Sequence, residues 1–333
     1  MILPYLLRLS CLCFASFFVL NLAAGLLVRI FSKSAIRLAE SRAPRAAARY
    51  LIVLRLLPFA LAALFVFALC VPSYLWLEPA AASEQVGFLS VVLGVLGAAV
   101  WLVSIARSIH SLIVSWRRNR LYLLAGADTT IPGESSSLLV VESHAPLLAM
   151  SGLFRPRMLI SRGVLQTLSS EELSAALLHE HAHRTSRDNA KRLLLLLAPD
   201  IFPFFHPLRA LEHSWSRLAE WAADDEATSG DSNRAVSLAS ALVQVARMGS
   251  APRMPYLSTS LLACDHDLSA RVDRLLRPVA PARPVSKLAQ HRLRIAGFLL
   301  AGCLTALLLT PSALLLAPSA LSSVHQLLEL LLH

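Results

Sequence analysis

Four apolar runs, residues 9–28, 56–77, 86–106 and 295–317, interrupt the chain, and each is long enough to cross a bilayer as a helix, which needs about 20 residues. Backbone inside hydrocarbon has to satisfy its own hydrogen bonds, so runs of this kind restrict the fold to a helical membrane protein plus whatever the remaining residues can build. The first run follows Arg8 as the apolar part of a signal peptide would. It is too long for that role, and no small-residue cleavage site leads from it into a polar chain, so it reads as a retained span. With 56% hydrophobic and 16% charged residues, neither a wholly soluble protein nor a disordered one fits.

The formal net charge of +10 raises the question of a nucleic-acid partner, and the positions of the bases answer it. Arg29, Lys33, Arg37, Arg42, Arg45, Arg49 and Arg55 lie between the first two runs, against a single acid, Glu40. The link between the second and third runs carries Glu78 and Glu84 and no base. Arg107, Arg117, Arg118 and Arg120 follow the third run, and Arg283, Lys287, Arg292 and Arg294 precede the fourth. Because Lys and Arg in short flanking loops stay on the cytoplasmic side, this pattern places residues 29–55 and 119–293 inside and both termini outside. The charge then serves topology, and direct nucleic-acid binding is not expected. Five cysteines without a CxxC suggest neither a disulfide framework nor a thiolate metal site.

The expected organisation is three spans within 1–118, at about 9–28, 56–77 and 86–106, with a basic cytoplasmic loop at 29–55. A cytoplasmic domain at 119–293, a fourth span at 294–318 and a short extracytoplasmic tail at 319–333 complete it. The middle domain has mixed composition and enough length for its own core. Residues 138–142, 147–150 and 158–161 read as short strands of a small antiparallel sheet, separated by the turn signal Ser151-Gly152 and by Pro156. Helices follow. Ser169 and Glu172 form a capping-box pattern that starts a helix running to about Thr185. A second apolar stretch covers 189–197, a third helix starts near Pro207 and runs to about Thr228, and Pro278, Pro281 and Pro284 mark a linker.

The first of these helices contains His179-Glu180-His181-Ala182-His183. Histidines at i and i+4 share one face, so both imidazoles can reach one zinc ion, while the glutamate beside the first can touch the water on that metal. His181 points elsewhere and reads as a surface residue, and Asp188 reads as a helix cap. A zinc hydrolase needs a third protein ligand, and the third helix offers Glu220 and Asp224 one turn apart, one able to bind metal and the other to orient a liganding imidazole. Arg271 and His266 are candidates for stabilising an oxyanion. The strand at 147–151 is a candidate edge for pairing with an extended substrate. Trp76 and Trp116 read as interfacial anchors.

HEHAHRTSRD, FPFFHP and RLAEWAADDEA, together with SGLFRPRMLIS and LQTLSSEELSAALLHE upstream and LSARVDRLL downstream, resemble the BlaR/MecR antirepressor peptidases over roughly residues 140–276. The order of three spans, protease domain and a further span is also similar. The resemblance implies a mainly α membrane protein with a cytoplasmic α+β gluzincin-like zinc protease domain between spans three and four, in a bacterial inner membrane. It implies His179, His183 and Glu220 as Zn2+ ligands, Glu180 as general base and acid, and Asp224 behind the ligands. One departure stands out. In that family a penicillin-binding domain follows the last span, and here only the tail at 319–333 does, so the β-lactam sensor is not expected in this polypeptide.

The expected activity is zinc-dependent endopeptidase cleavage of a cytoplasmic protein, a transcriptional repressor being one candidate, or of the chain itself, in signal transduction. The alternatives are a membrane quality-control protease of the HtpX/CAAX-processing type and a non-catalytic zinc-binding signalling scaffold. Expected partners are the lipid bilayer and the protein substrate, with homo-oligomerisation left open.

Overall fold

The computed structural model describes residues 4–77, 86–129, 138–153, 156–200, 208–249, 257–261, 268–277 and 326. The expected fourth span, the tail apart from residue 326, the proline-marked linker, residues 201–207 before the third helix and His266 lie outside these residues. Helix α1 (Tyr5–Glu40) turns over three residues into α2 (Pro44–Phe65), which continues through a π-helical stretch (Val66–Cys70) into α3 (Val71–Leu77), and α4 (Phe88–Ala125) packs back on α1. Three of these helical stretches, Tyr5–Glu40, Pro44–Trp76 and Phe88–Ala125, are long and apolar enough to cross a membrane. The close approach of α4 to α1 depends on glycine, since a Cβ at Gly97 would run into the Phe14 carbonyl oxygen. Small residues of this kind let helix backbones meet where water supplies no driving force.

The basic stretch at 29–55, expected as a loop, is built as helix. The reason is visible in its spacing: Ala39, Ala47, Ala48 and Leu51 form a buried stripe while Arg29, Lys33, Arg37, Arg45 and Arg49 stay exposed on the other side. Such an amphipathic continuation is stable as a helical hairpin and leaves the charges in water.

From α4 the chain enters a five-stranded sheet of order β1-β2-β4-β3-β5, made of β1 (Gly126–Thr129), β2 (Leu138–Val141), β3 (Leu148–Ser151), β4 (Arg157–Ser161) and β5 (Ser258–Ser260). The sheet is mixed and not purely antiparallel, because β2 and β4 pair in parallel. It is covered on both faces. Leu138, Val140, Leu148, Met150, Met158 and Ile160 point into the main core, and Val141, Leu147 and Ala149 pack near Tyr122 of α4. Burial on both sides explains why these strands read as continuous apolar runs.

Helix α5 (Arg162–Thr167) leads to α6 (Ser170–Ser186), whose capping box forms as expected: the Ser169 hydroxyl accepts from the Glu172 amide and the Glu172 carboxylate accepts from the Ser169 amide. Next come α7 (Asp188–Leu197), α8 (Arg209–Thr228), α9 (Ser232–Arg247) and α10 (Leu268–Leu276). Helices α6 and α9 lie on the main-core face of the sheet. Helix α8 sits between that core, which its Ala227 joins, and the α1–α2 hairpin, against which Leu211, Trp215, Leu218 and Ala219 pack.

Candidate metal centre

Helix α6 puts His179 and His183 one turn apart, with their Nε2 atoms 3.2 Å from each other. Helix α8 brings Glu220 alongside, its Oε2 3.5 Å from His179 Nε2 and 3.6 Å from His183 Nε2. All three side chains are buried. A tetrahedral ion with bonds of about 2.0–2.1 Å separates its ligand atoms by about 3.4 Å, so a triangle with edges of 3.2, 3.5 and 3.6 Å has the right size for three of four positions.

The acids behind the triangle point the same way, Asp188 through a hydrogen bond and Asp224 through a close approach without hydrogen-bond geometry. His183 Nδ1 lies 2.8 Å from Asp188 Oδ2, and His179 Nδ1 lies 2.9 Å from Asp224 Oδ1. A neutral imidazole facing a carboxylate through Nδ1 carries its proton there, which leaves the Nε2 lone pair outward. Both lone pairs therefore converge on one point beside the Glu220 carboxylate. Neither oxygen of Glu220 has a hydrogen-bond partner, although the Arg271 guanidinium lies 3.3 Å from Oε2, so the buried carboxylate keeps lone pairs that a metal can take. His179, His183 and Glu220 fit a divalent metal.

Burial opposes charge on His183, yet Glu220 and Asp188 outweigh it and push the imidazole pKa up to about 10, so without a metal the ring carries a second proton on Nε2, which a bound metal displaces. For Asp224 burial again works against ionisation, and Arg271, with help from His179, brings the carboxyl down to about 2. Glu180 behaves in the opposite sense. Desolvation raises its pKa above the ordinary carboxylate value, against the pull of His183 and His179. Its Oε2 accepts from the Met150 amide at 3.1 Å, and its Oε1 has no hydrogen-bond partner. Asn189 bonds the carbonyl oxygens of Met150 and Gly152, at 3.4 and 3.0 Å, and so ties the end of β3 to α7.

The structure brings together five of the residues named from sequence, His179, Glu180, His183, Glu220 and Asp224. Arg271 is also there. Its Nε and Nη2 hold Asp224 at 2.9 and 2.7 Å, and its Nη1 donates to the Leu261 carbonyl at 2.9 Å and lies 3.3 Å from Glu220 Oε2. The guanidinium is held by the acids and its Nη2 also lies 3.4 Å from His179 Nε2, beside the metal-facing atoms. His181 is exposed, as expected.

Asp188, read from sequence as a cap, is the residue that sequence reasoning missed. Arg187 between α6 and α7 adopts φ 55°, a left-handed conformation uncommon outside glycine, and this sharp reversal returns Asp188 beneath His183. Lys191 bonds its other oxygen at 2.7 Å. An acid five residues beyond the second histidine was the available signal. The strand at 147–151 also differs from expectation: β3 is flanked by β4 and β5, so it is not an edge.

A search among curated proteins finds no match. The sequence profile of the BlaR1 peptidase M56 family matches residues 75–275, a stretch running from α3 through the sheet and α6 to α10 and enclosing every described residue of the centre. With the match covering more than half of the chain and three apolar helices beside a buried His-His-Glu group, the chain belongs to the BlaR1 peptidase M56 family and is a membrane-associated metallopeptidase.

Proposed function

We propose that the chain is a zinc-dependent endopeptidase whose catalytic domain faces the cytoplasm and cleaves a cytoplasmic protein, a transcriptional repressor or the chain itself, to pass on a signal. The observation that carries this reading is the converging triangle of His179, His183 and Glu220 with Glu180 beside it. His179, His183 and Glu220 would hold the metal, which when bound supplies a Lewis acid and lowers the pKa of water towards about 7.

Glu180 takes the proton of the water that attacks the scissile carbonyl. The same proton then passes to the amide nitrogen as the C–N bond breaks, giving one new carboxylate and one new amine. Burial suits Glu180 to both halves of that transfer, since it disfavours the bare carboxylate and so raises its basicity. Asp224 and Asp188 fix the two imidazoles through their Nδ1 atoms. The placement of bases beside the spans supports the cytoplasmic orientation.

Comparative proteomics of cells carrying the wild type and Glu180→Gln tests the reading. The expected result is a cytoplasmic protein whose cleavage disappears in the variant while the purified variant keeps zinc. Cleavage retained in Glu180→Gln removes the proteolytic assignment, and signalling retained in the same variant favours a scaffold.

A further inference from the structure

A second polar site lies away from the metal centre, in a cavity of about 530 Å3 where α2, α4, α7 and α8 meet. Arg55, Arg107, His110, Asp200, Arg209 and Glu212 line it. Arg55 immediately precedes the second apolar run and Arg107 immediately follows the third, so two helices crossing the bilayer place these guanidiniums at one level, the boundary between hydrocarbon and headgroups. The volume falls within the usual range for small-molecule sites.

The charges decide what the cavity can hold. Three guanidiniums face two carboxylates. Arg55 is buried and spends its charge on Glu212, at 2.8 Å, and Asp200 is already engaged within the protein. Arg209 uses its Nε on His213, at 3.1 Å, and no carboxylate pairs with Arg107 among the described residues. The arginines of the lining therefore outnumber its carboxylates by one, and a phosphodiester carries one negative charge.

We infer that this cavity binds the phosphodiester headgroup of an anionic membrane lipid, with Arg107 and Arg209 as its principal contacts. Guanidinium forks match phosphate oxygens, and the depth set by the ends of the apolar runs is that of a lipid phosphate. The site also touches the two helices that serve the metal centre. Helix α7 begins at Asp188 and α8 carries Glu220, so a lipid seated here contacts the elements that position both.

Native mass spectrometry of the full chain, released from nanodiscs of phosphatidylglycerol mixed with phosphatidylcholine, tests the inference. The wild type should retain phosphatidylglycerol in preference to phosphatidylcholine. Arg107→Gln and Arg209→Gln, both at exposed side chains, should each weaken that retention by about tenfold or more. Arg117→Gln, an exposed base further along α4 and outside the cavity, should leave retention unchanged. Equal retention of the two lipids, or equal loss in all three variants, overturns the site in favour of general surface attraction. Displacement of the lipid from the wild type by millimolar inorganic phosphate assigns the cavity to free phosphate and overturns the lipid. Metal content and proteolysis do not enter these readouts, so their outcome is independent of the catalytic reading.

Discussion

Replacing Arg271 with methionine keeps much of the side-chain volume and deletes the guanidinium that bonds Asp224 at 2.7 and 2.9 Å. Asp224 is fully buried, so it would be left as a carboxylate without its main countercharge. Removing one partner of a buried pair costs about 3–5 kcal/mol. The ionisation of Asp224 provides a second measure. Its pKa of about 2, below the ordinary 3.8, corresponds to about 2 kcal/mol by which its neighbours favour the charged form even after desolvation. Together these place the loss at about 2–5 kcal/mol, which lowers Tm by about 4–20 °C for a domain of this size. Thermal unfolding of the full chain in detergent, followed by tryptophan fluorescence, measures it. Combining Arg271→Met with Asp224→Leu removes both charges, and whole-pair replacement by apolar groups is often neutral, so the double variant should recover about 2–3 kcal/mol relative to the sum of the singles. Metal affinity should not recover with it, because His179 has lost the acceptor for its Nδ1 proton, a loss that costs about 10–100-fold. A single-variant cost below about 1 kcal/mol, or a double variant as unstable as the sum, refutes the reasoning.

Other perturbations address separate parts of the structure. Asp188→Ala removes the acceptor from His183 and is expected to weaken metal retention by about 10–100-fold, measured by competition with a chelating dye. Glu220→Ala should bring zinc stoichiometry in the purified chain close to zero, and a full complement would exclude Glu220 as a ligand. Burial opposes ionisation of Glu172, but Ser240, the Ser169 amide and Gln244 hold its pKa below 4.5. Its contribution to stability is therefore complete above about pH 4.5 and is lost as pH falls through the lower folded value, so Tm curves of wild type and Glu172→Gln should differ at neutral pH and converge in acid. Gly97→Val drives a side chain into the Phe14 carbonyl and should separate α4 from α1, read as loss of a disulfide engineered between those helices.

Helical features were the most legible from sequence. The capping box at Ser169 and Glu172 fixes where α6 starts, and from there the 3.6-residue period places His179 and His183 on one face and Glu180 beside them. The same period pairs Glu220 with Asp224, though it does not decide which of them meets the histidines. That depends on how α8 is rotated against α6, which its contact with the α1–α2 hairpin helps to set. The partners of Arg271 were not legible because they are 47 residues away on α8 and at the Leu261 carbonyl, and no local pattern encodes them. Asp188 was misread because its role needs the left-handed Arg187, an unusual conformation for arginine. Strands β1 and β5 were not foreseen. The first continues directly from a span, and the second is three hydroxyl residues, Ser258–Ser260, that no apolar alternation marks.

Helix α8 belongs to two cores at once, and this constrains how anything done to the spans reaches the metal centre. Leu211, Trp215, Leu218 and Ala219 pack against Ala47, Ala48, Leu51 and Ile52 of α2, and Arg55 of that helix holds Glu212. Ala227, further along α8, joins the core under the sheet, while Asp224 and Asp225 fasten it to Arg271 and Arg274 of α10. Glu220 lies between these two sets of contacts. Packed interfaces move between discrete arrangements because interiors are as dense as crystals. A shift of α2 must therefore either break its contacts with α8 or carry α8 along, and in the second case the Glu220 carboxylate moves relative to His179 and His183 on α6. Since the triangle admits an ion only when its edges stay near 3.4 Å, a displacement of about 1 Å along α8 is enough to change the coordination, with no residue of the centre itself altered.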